Sequence, residues 1–247
     1  MKKPALGILV LFVITFSNAY SQSVYVKLGG GYGLGLATQL IYYSGSSSAW
    51  DNKYGSFGEG INFQAGFGYN ITPNIALELT SSYTLGKKFE YTSSSGSTSY
   101  KEYANSIFII PSAILKAPMK DITPYARFGM VLGIPTKYYE SAPVGSITLG
   151  GPIKYKEYGG LAMGIQGACG VDFKVANKLG IFAEIFGIGM SYGPSTLENT
   201  ENYLGIQPIV TYSESGNFTS GSNTAPTPRY SFSSFGMNVG LTYTFGK

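Results

Sequence analysis

Hydrophobic and polar residues alternate with a period of two along several stretches of this 247-residue chain. From Ile61 to Ile71 the odd positions are apolar or aromatic, whereas the even positions carry Gly, Asn or Gln. The same division returns between Phe235 and Phe245. Because a helix would spread these residues around its circumference, the pattern predicts β-strands with one apolar face and one polar face.

The alternation and the turn residues together predict eight strands. They cover residues 23–38, 60–72, 75–92, 102–117, 123–137, 157–175, 179–192 and 229 onward. Tight turns at 72–74, 118–122 and 176–178 contain Pro, Asn or Asp. They alternate with long connections at 39–59, 93–101, 138–156 and 193–228, which are rich in Ser, Gly, Tyr and Asn. Long loops at one end, short turns at the other and an even strand number are typical of transmembrane barrels.

The predicted fold class is therefore all-β, an eight-stranded antiparallel up-and-down barrel. Ten residues rising about 3.3 Å each, tilted by about 40°, would span roughly the 25 Å of an apolar membrane band. Aromatic residues are expected in two girdles at the ends of that band, with Tyr91, Tyr139 and Tyr192 at the long-loop end and Tyr25 at the short-turn end.

The amino terminus has the features of a cleavable secretory signal. Lys2 and Lys3 precede an apolar run from Ala5 to Phe16, which is followed by the small residues around Ala19. This run is shorter than the roughly 20 apolar residues of a membrane-spanning helix. We expect export through the Sec pathway, a signal peptide at 1–21 with cleavage after residue 19 or 21, and a barrel domain at 22–247.

Composition narrows the function classes. The chain is 44% hydrophobic and 12% charged, which excludes intrinsic disorder. It has no His and a single Cys, so the usual general base, the commonest metal ligand and any Cys-rich metal site are missing. Without Lys2 and Lys3, 15 basic residues face 13 acidic ones, too small an excess for nucleic-acid binding. We expect no enzyme activity, no metal and no cofactor.

Charged residues on the polar strand faces are candidates for the barrel interior. A Lys or Arg facing lipid at mid-depth would cost about 2–4 kcal/mol, so the polar face should line the lumen. Glu78, Arg127 and Glu184 follow short turns at similar distances and should lie at similar depth. We expect a buried network in which Arg127 binds one or both carboxylates, with Gln166 nearby. Its simplest role is to plug the lumen, and gating is the alternative. Asp172 and Lys174 are expected inside, near the periplasmic end.

Two strands depart from clean alternation. The fourth is apolar on both faces from Ile107 to Pro111, and Pro111 cannot donate a ladder hydrogen bond, so its facing stays open. The seventh places Phe182, Phe186 and Ile188 on the same face as Glu184, which implies either bulky apolar groups in the lumen or a bulge. An apolar lumen patch would serve packing or a route for a small hydrophobic molecule.

A family resemblance follows from the order of several short motifs. Ile110-Pro111, Thr123-Pro124-Tyr125 with Gly129, Gly170-Val171-Asp172-Phe173 and Phe182-Ala183-Glu184 resemble small eight-stranded outer-membrane β-barrel proteins, the OmpA-like, OmpX-like and OmpW-like porin-family group. The resemblance spans nearly the whole mature chain. It implies location in the outer membrane of a diderm bacterium and insertion by the barrel-assembly machinery, although Gly246 and Lys247 follow the terminal aromatic Phe245.

The expected function is structural or surface interaction through the long extracellular loops, with a lumen plugged by polar side chains. Trp50, Tyr54 and Phe57 are candidate loop contacts for a surface ligand. The alternative is a narrow transporter of small hydrophobic solutes, since eight strands leave an interior filled by side chains. A secreted lipocalin-like barrel is a remote third possibility, whose lumen should instead be apolar. We expect outer-membrane lipids as partners and a monomeric state.

Overall fold

The computed structural model describes residues 23–36, 39–46, 49–93, 98–143, 152–201, 209–213 and 224–245. The signal peptide predicted at 1–21 and the terminal Gly246 and Lys247 lie outside this part of the chain. No helix long and apolar enough to cross a membrane occurs in the described residues.

Eight long strands form the body of the molecule. They are β1 (Val24–Gly35), β2 (Gly60–Asn70), β3 (Ile75–Gly86), β4 (Thr98–Lys116), β5 (Ile122–Pro143), β6 (Ala162–Lys174), β7 (Leu179–Tyr192) and β8 (Ser234–Phe245). Each pairs antiparallel with its chain neighbours, and β1 also pairs with β8 in a register that sets Val24 opposite Phe245. The sheet therefore closes on itself, and the predicted eight-stranded antiparallel barrel is confirmed.

The alternation predicted from sequence sets the two faces of the barrel wall. In β2 the odd residues Ile61, Phe63 and Phe67 are exposed on the outside, whereas Asn62 and Gln64 are buried inside. The outer apolar surface extends around the whole barrel and includes Leu28, Leu79, Ile109, Phe128, Met130, Ile165, Ile185, Met237 and Leu241. Such a continuous apolar exterior is the surface that lipid covers in a transmembrane barrel.

Short turns close one end of the barrel. In the turn between β2 and β3, the Thr72 hydroxyl accepts hydrogen bonds from the backbone N–H groups of Asn74 and Ile75, at 3.2 and 3.0 Å. The Asn74 side chain then donates to the backbone carbonyl of Lys116 at 3.0 Å, which ties this turn to the end of β4. Thr and Asn stabilise such turns because their side chains satisfy nearby backbone groups.

Long loops at the other end form additional strands. Gln39–Ser46 pairs with Ala49–Gly55 as a hairpin. Phe89–Thr92 pairs with β4, and Tyr230–Ser231 pairs with β7. On the outer edge of β5, the sheet continues through four further strands in the order Ile153–Tyr158, Thr196–Glu201, Ile209–Ser213 and Thr224–Pro226. We call these strands with the upper parts of β4 and β5 the loop sheet. All four connections predicted as loops are thus partly strand. In 93–101 and 138–156 this is because polar extensions of β4 and β5 pair with each other up to Pro143.

The structure shows which side chains of β4 and β7 point into the lumen, a question that the sequence left open. In β4 the even residues Phe108 and Ile110 point inward, while Ile109 and Pro111 point outward. The ladder between β4 and β5 is interrupted at Ile110 and Pro111, whereas the ladder to β3 continues through Pro111. The missing proline N–H therefore falls on the β5 side. In β7 the register is continuous without a bulge, so its bulky apolar residues do lie in the lumen.

Candidate functional site

A buried charge network crosses the lumen in the half nearer the short turns. Arg127 of β5 donates from Nη1 to Glu78 Oε1 of β3 at 2.9 Å and from Nη2 to Glu184 Oε1 of β7 at 2.7 Å. These three side chains are almost fully buried, at 2%, 0% and 1% exposure. The planar guanidinium suits this arrangement, because it binds two separate carboxylates in fixed directions.

Each carboxylate has further partners. Glu78 accepts hydrogen bonds from the hydroxyls of Tyr25 at 2.9 Å and Thr80 at 3.0 Å, and the Lys27 ammonium lies 3.5 Å from Glu78 Oε2. Glu184 accepts from Tyr125 at 2.9 Å, and from the amides of Asn238 and Gln64 at 3.0 and 3.3 Å. Two cations therefore balance two anions inside the wall, and hydroxyl and amide donors satisfy the remaining carboxylate lone pairs. Lys27, Glu78, Arg127 and Glu184 are called the lumen network below.

Two members of this layer are not among the lumen residues predicted from the sequence. Lys27 shares the inward odd phase of β1 with Gly29 and Gly31. Tyr25 was expected in the short-turn girdle, but its 1% exposure and its bond to Glu78 place it inside the lumen, which corrects that expectation. The signal that could have found Lys27 was strand phase, since a lipid-facing Lys is costly.

Other expected lumen residues lie apart from the network. Gln166 is 2% exposed and inward-facing, and its Oε1 atom has no hydrogen-bond partner within the described residues. It borders a cavity of about 20 Å³ beside Asn238, which has room for about one water molecule. Asp172 and Lys174 line a separate, wider cavity at the short-turn mouth.

Above the network, the lumen is filled by apolar side chains. Phe108, Ile110, Val131, Phe186 and Ile188 belong to one buried cluster. Bulky residues fit there because the facing wall is lined with glycine. A methyl group placed at Gly236 would lie 2.8 Å from Phe186. Nearer the short turns than Glu184, a methyl group at Gly29 or Gly240 would lie 2.7 Å from the Phe182 ring. The glycines of β1 and β8 therefore leave space in which the aromatic residues of β7 pack.

A second charged layer closes the lumen at the long-loop end. Lys137 Nζ lies 2.9 Å from Glu102 and 3.5 Å from Glu157, and it faces the ring of Tyr230 at 4.5 Å. Tyr212 and Tyr230 donate to Glu157 Oε1 at 2.6 and 3.1 Å. Burial and the Glu157 carboxylate raise the pKa of both phenols, so they remain protonated donors.

Tyrosines form a row along the loop sheet above this layer. Tyr42 stacks on Tyr91 at 4.2 Å between ring centroids, Tyr91 on Tyr100 at 5.0 Å, and the row continues through Tyr139 to Tyr155. Tyr91 and Tyr139 were expected in a lipid-facing girdle. They instead extend the inner face of the barrel upward, since they share the strand phase of the inward Phe89 and Lys137. Tyr192 also points inward and is fully buried.

The three predicted loop contacts have different outcomes. Tyr54 is 57% exposed at the end of the loop hairpin. Phe57 is only 3% exposed, which corrects the expectation of a displayed residue. It packs edge-on against Phe89 and Tyr230 and so covers the top of the lumen. The Trp50 side chain lies outside the described part of the structure.

Within the described residues, no group of three or more His, Cys, Asp or Glu side chains could hold a metal ion. Cys169 is exposed on the outer, lipid-facing wall, opposite in phase to the lumen residues.

Comparison with known proteins finds weak likenesses to solved structures and no family match. No family model matches the chain, and no curated protein matches it. Among solved structures, Neisserial surface protein A has a TM-score of 0.44 and 13% identity, covering 92% of this chain and 100% of that one. Ail, the attachment invasion locus protein of Yersinia pestis, has 0.41 and 8%, with the same coverage. CarO2 of Acinetobacter baumannii has 0.36 and 11%, covering 90% and 99%. The barrel assignment rests on the strand pairing described above and does not depend on these likenesses.

Proposed function

We propose that this protein is an outer-membrane barrel that acts at its long-loop surface, in a structural or interaction role, rather than as a pore. The observation that carries the proposal is the filled lumen. Two charged layers and the apolar cluster between them fill the lumen between the wider cavity at the short-turn mouth and the loop sheet, and the cavity beside Gln166 holds only about 20 Å³. We therefore assign function to the surfaces at the ends of the barrel, and the long-loop end carries the additional strands of the loop sheet.

The faces of the barrel wall favour a membrane protein over the lipocalin-like alternative. A lipocalin presents polar residues to water and an apolar lumen to its ligand. This barrel has the opposite arrangement, with Phe63, Phe128 and Met237 outside and the lumen network inside. Even-stranded barrels of this kind belong to the outer membranes of diderm bacteria. Sec export, insertion by the barrel-assembly machinery and a monomeric state in outer-membrane lipid are parts of the same proposal.

The orientation and location can be tested by cysteine labelling on intact cells. In a Cys169→Ser background, Tyr54→Cys marks a long loop and Asn177→Cys marks a short turn; both native side chains are exposed. A membrane-impermeant maleimide should label Tyr54→Cys on intact cells and Asn177→Cys only after the outer membrane is permeabilised. The reverse pattern would overturn the orientation, and recovery of the protein in the soluble periplasm would overturn the location.

Solute transport remains the second candidate, and the apolar cluster around Phe108 and Phe186 is the observation that favours it. A hydrophobic solute would need that cluster to rearrange and would then meet Arg127, which bridges Glu78 and Glu184 across the lumen. Reconstituted protein should accordingly show no conductance in planar bilayers and no solute uptake into liposomes. Saturable uptake of a small apolar solute would support transport instead, and would refute the plugged barrel.

We propose that the lumen holds no active site. Its carboxylates Glu78 and Glu184 are held by Arg127 and by hydroxyl or amide donors, so neither is free to act as a general acid. We therefore propose a non-enzymatic protein whose partner binds at the loop sheet.

A further inference from the structure

An open cavity of about 320 Å³ lies at the short-turn end of the barrel, on the opposite side of the lumen network from the loop sheet. We call it the vestibule. Tyr25 and Tyr125 border it toward the network, and the residues around Asp172 and Lys178 form its rim. Its volume is within the range of small-ligand pockets. Because Arg127 and its partners close the lumen behind it, the vestibule is a dead end that opens only on the short-turn side.

The vestibule has an excess of positive charge. Its lining carries four lysines, Lys27, Lys116, Lys174 and Lys178, and one carboxylate, Asp172. Lys27 is matched by Glu78, which lies deeper. Among the described residues, the other three lysines form no ion pair, so three cations face one anion. Lys116 is partly buried, whereas Lys174 and Lys178 are exposed at the rim, and like charges held close together repel one another unless a counter-charge is present.

Lys116 is the best-positioned of these cations. Its ammonium donates to Asn70 Oδ1 at 2.7 Å and lies 4.1 Å from the centroid of the Tyr25 ring, the ring that Lys27 also faces at 5.7 Å. These contacts hold Lys116 across the inside of the mouth. An ammonium has three donors, and the Asn70 bond uses one of them.

Neutral polar groups complete the lining. Thr242 is 6% exposed, and its hydroxyl has no hydrogen-bond partner within the described residues. Thr242 lines the vestibule together with Thr123 and Thr244. A buried hydroxyl without a partner costs free energy, which a ligand that accepts a hydrogen bond from it would recover.

We propose that the vestibule binds a small oxyanion, a phosphate or carboxylate group, held by Lys116 and by the rim lysines. Oxyanions offer several acceptors, which match ammonium and hydroxyl donors in a partly enclosed site. The site is independent of the loop surface and faces the compartment on the short-turn side.

Binding can be measured by titrating the purified protein in detergent with inorganic phosphate or malonate at constant ionic strength, using isothermal calorimetry. Wild type should bind at least one of the two saturably, and preference for phosphate or malonate identifies which oxyanion chemistry the site takes. Lys116→Gln should weaken binding about tenfold or more, as expected when a charged hydrogen-bond donor is lost.

Lys120→Gln is the matched control. Lys120 is exposed in the same short-turn region and outside the vestibule lining, so this variant makes the same change in net charge without touching the site. It should bind like wild type. The absence of saturable binding by wild type would overturn the proposal, as would equal weakening in Lys116→Gln and Lys120→Gln, since only general surface charge would then be involved. Heat-dependent gel mobility verifies that each variant is folded.

Discussion

Replacing Arg127 with Leu removes the cation that two buried carboxylates share. Glu78 would keep Lys27 at 3.5 Å and two hydroxyl donors, whereas Glu184 would keep only neutral donors from Tyr125, Asn238 and Gln64. Removing one partner of a buried ion pair costs about 3–5 kcal/mol, because a charge is left uncompensated in a low-dielectric interior. We therefore expect Arg127→Leu to lower the free energy of unfolding by about that amount, with most of the loss arising at Glu184.

The difference between Glu78, which keeps a cation, and Glu184, which does not, can be tested with second substitutions. Equilibrium urea unfolding in detergent or lipid should show that Glu184→Gln, added to Arg127→Leu, recovers more stability than Glu78→Gln does. Lys101→Leu is the control, because Lys101 and Glu90 are 34% and 65% exposed and a surface pair contributes less than about 1 kcal/mol. If Arg127→Leu and Lys101→Leu unfold alike, or if both second substitutions recover the same stability, the reasoning from buried charge is refuted.

Three further outcomes are expected. Gly29→Val should reduce the heat-modifiable folded band on gels, because the valine side chain would meet Phe182 and overpacking costs about 1–3 kcal/mol. Gly167→Ala is the control and should fold normally, because no atom lies within 4 Å of the added methyl group. Burial, followed by the neighbouring Tyr100, raises the pKa of Tyr139 in the loop sheet to about 12. Its stabilising contribution should thus be complete below pH 10 and disappear as pH rises towards 12, and Tyr139→Phe should remove one late step from a tyrosinate absorbance titration. Cys169 faces lipid, so a charged maleimide should leave it unlabelled in vesicles and label it after boiling in detergent; labelling in intact vesicles would contradict that facing.

The sequence was informative about facing where the apolar and polar residues of a strand alternate cleanly. Period-two alternation placed Phe63 outside and Gln64 inside, and the distances from short turns put Glu78, Arg127 and Glu184 at one depth. These features are local, because each residue's face follows from its neighbours two positions away.

Contacts across the lumen and within the loops could not be predicted in this way. The partnership of Lys27 with Glu78 depends on how β1 and β3 are rotated about the barrel, which no local pattern encodes. The burial of Phe57 depends on Phe89 and Tyr230, which come from two other long connections that fold over the lumen. Residues in long loops do not follow the alternation of a strand, so the sequence could not show which way Phe57 faces. It was predicted to be exposed at the surface, whereas in the structure it covers the top of the lumen.

The distribution of the lumen network among the strands has a consequence for assembly. Lys27, Glu78, Arg127 and Glu184 come from β1, β3, β5 and β7, so no two of them lie on adjacent strands. A hairpin entering the bilayer alone would carry an unneutralised charge, which hydrocarbon strongly disfavours. Neutralisation requires strands from the whole chain to meet around one point. Insertion and closure should therefore occur as one cooperative event, with partly assembled sheets held at the membrane surface until the last strand joins the first.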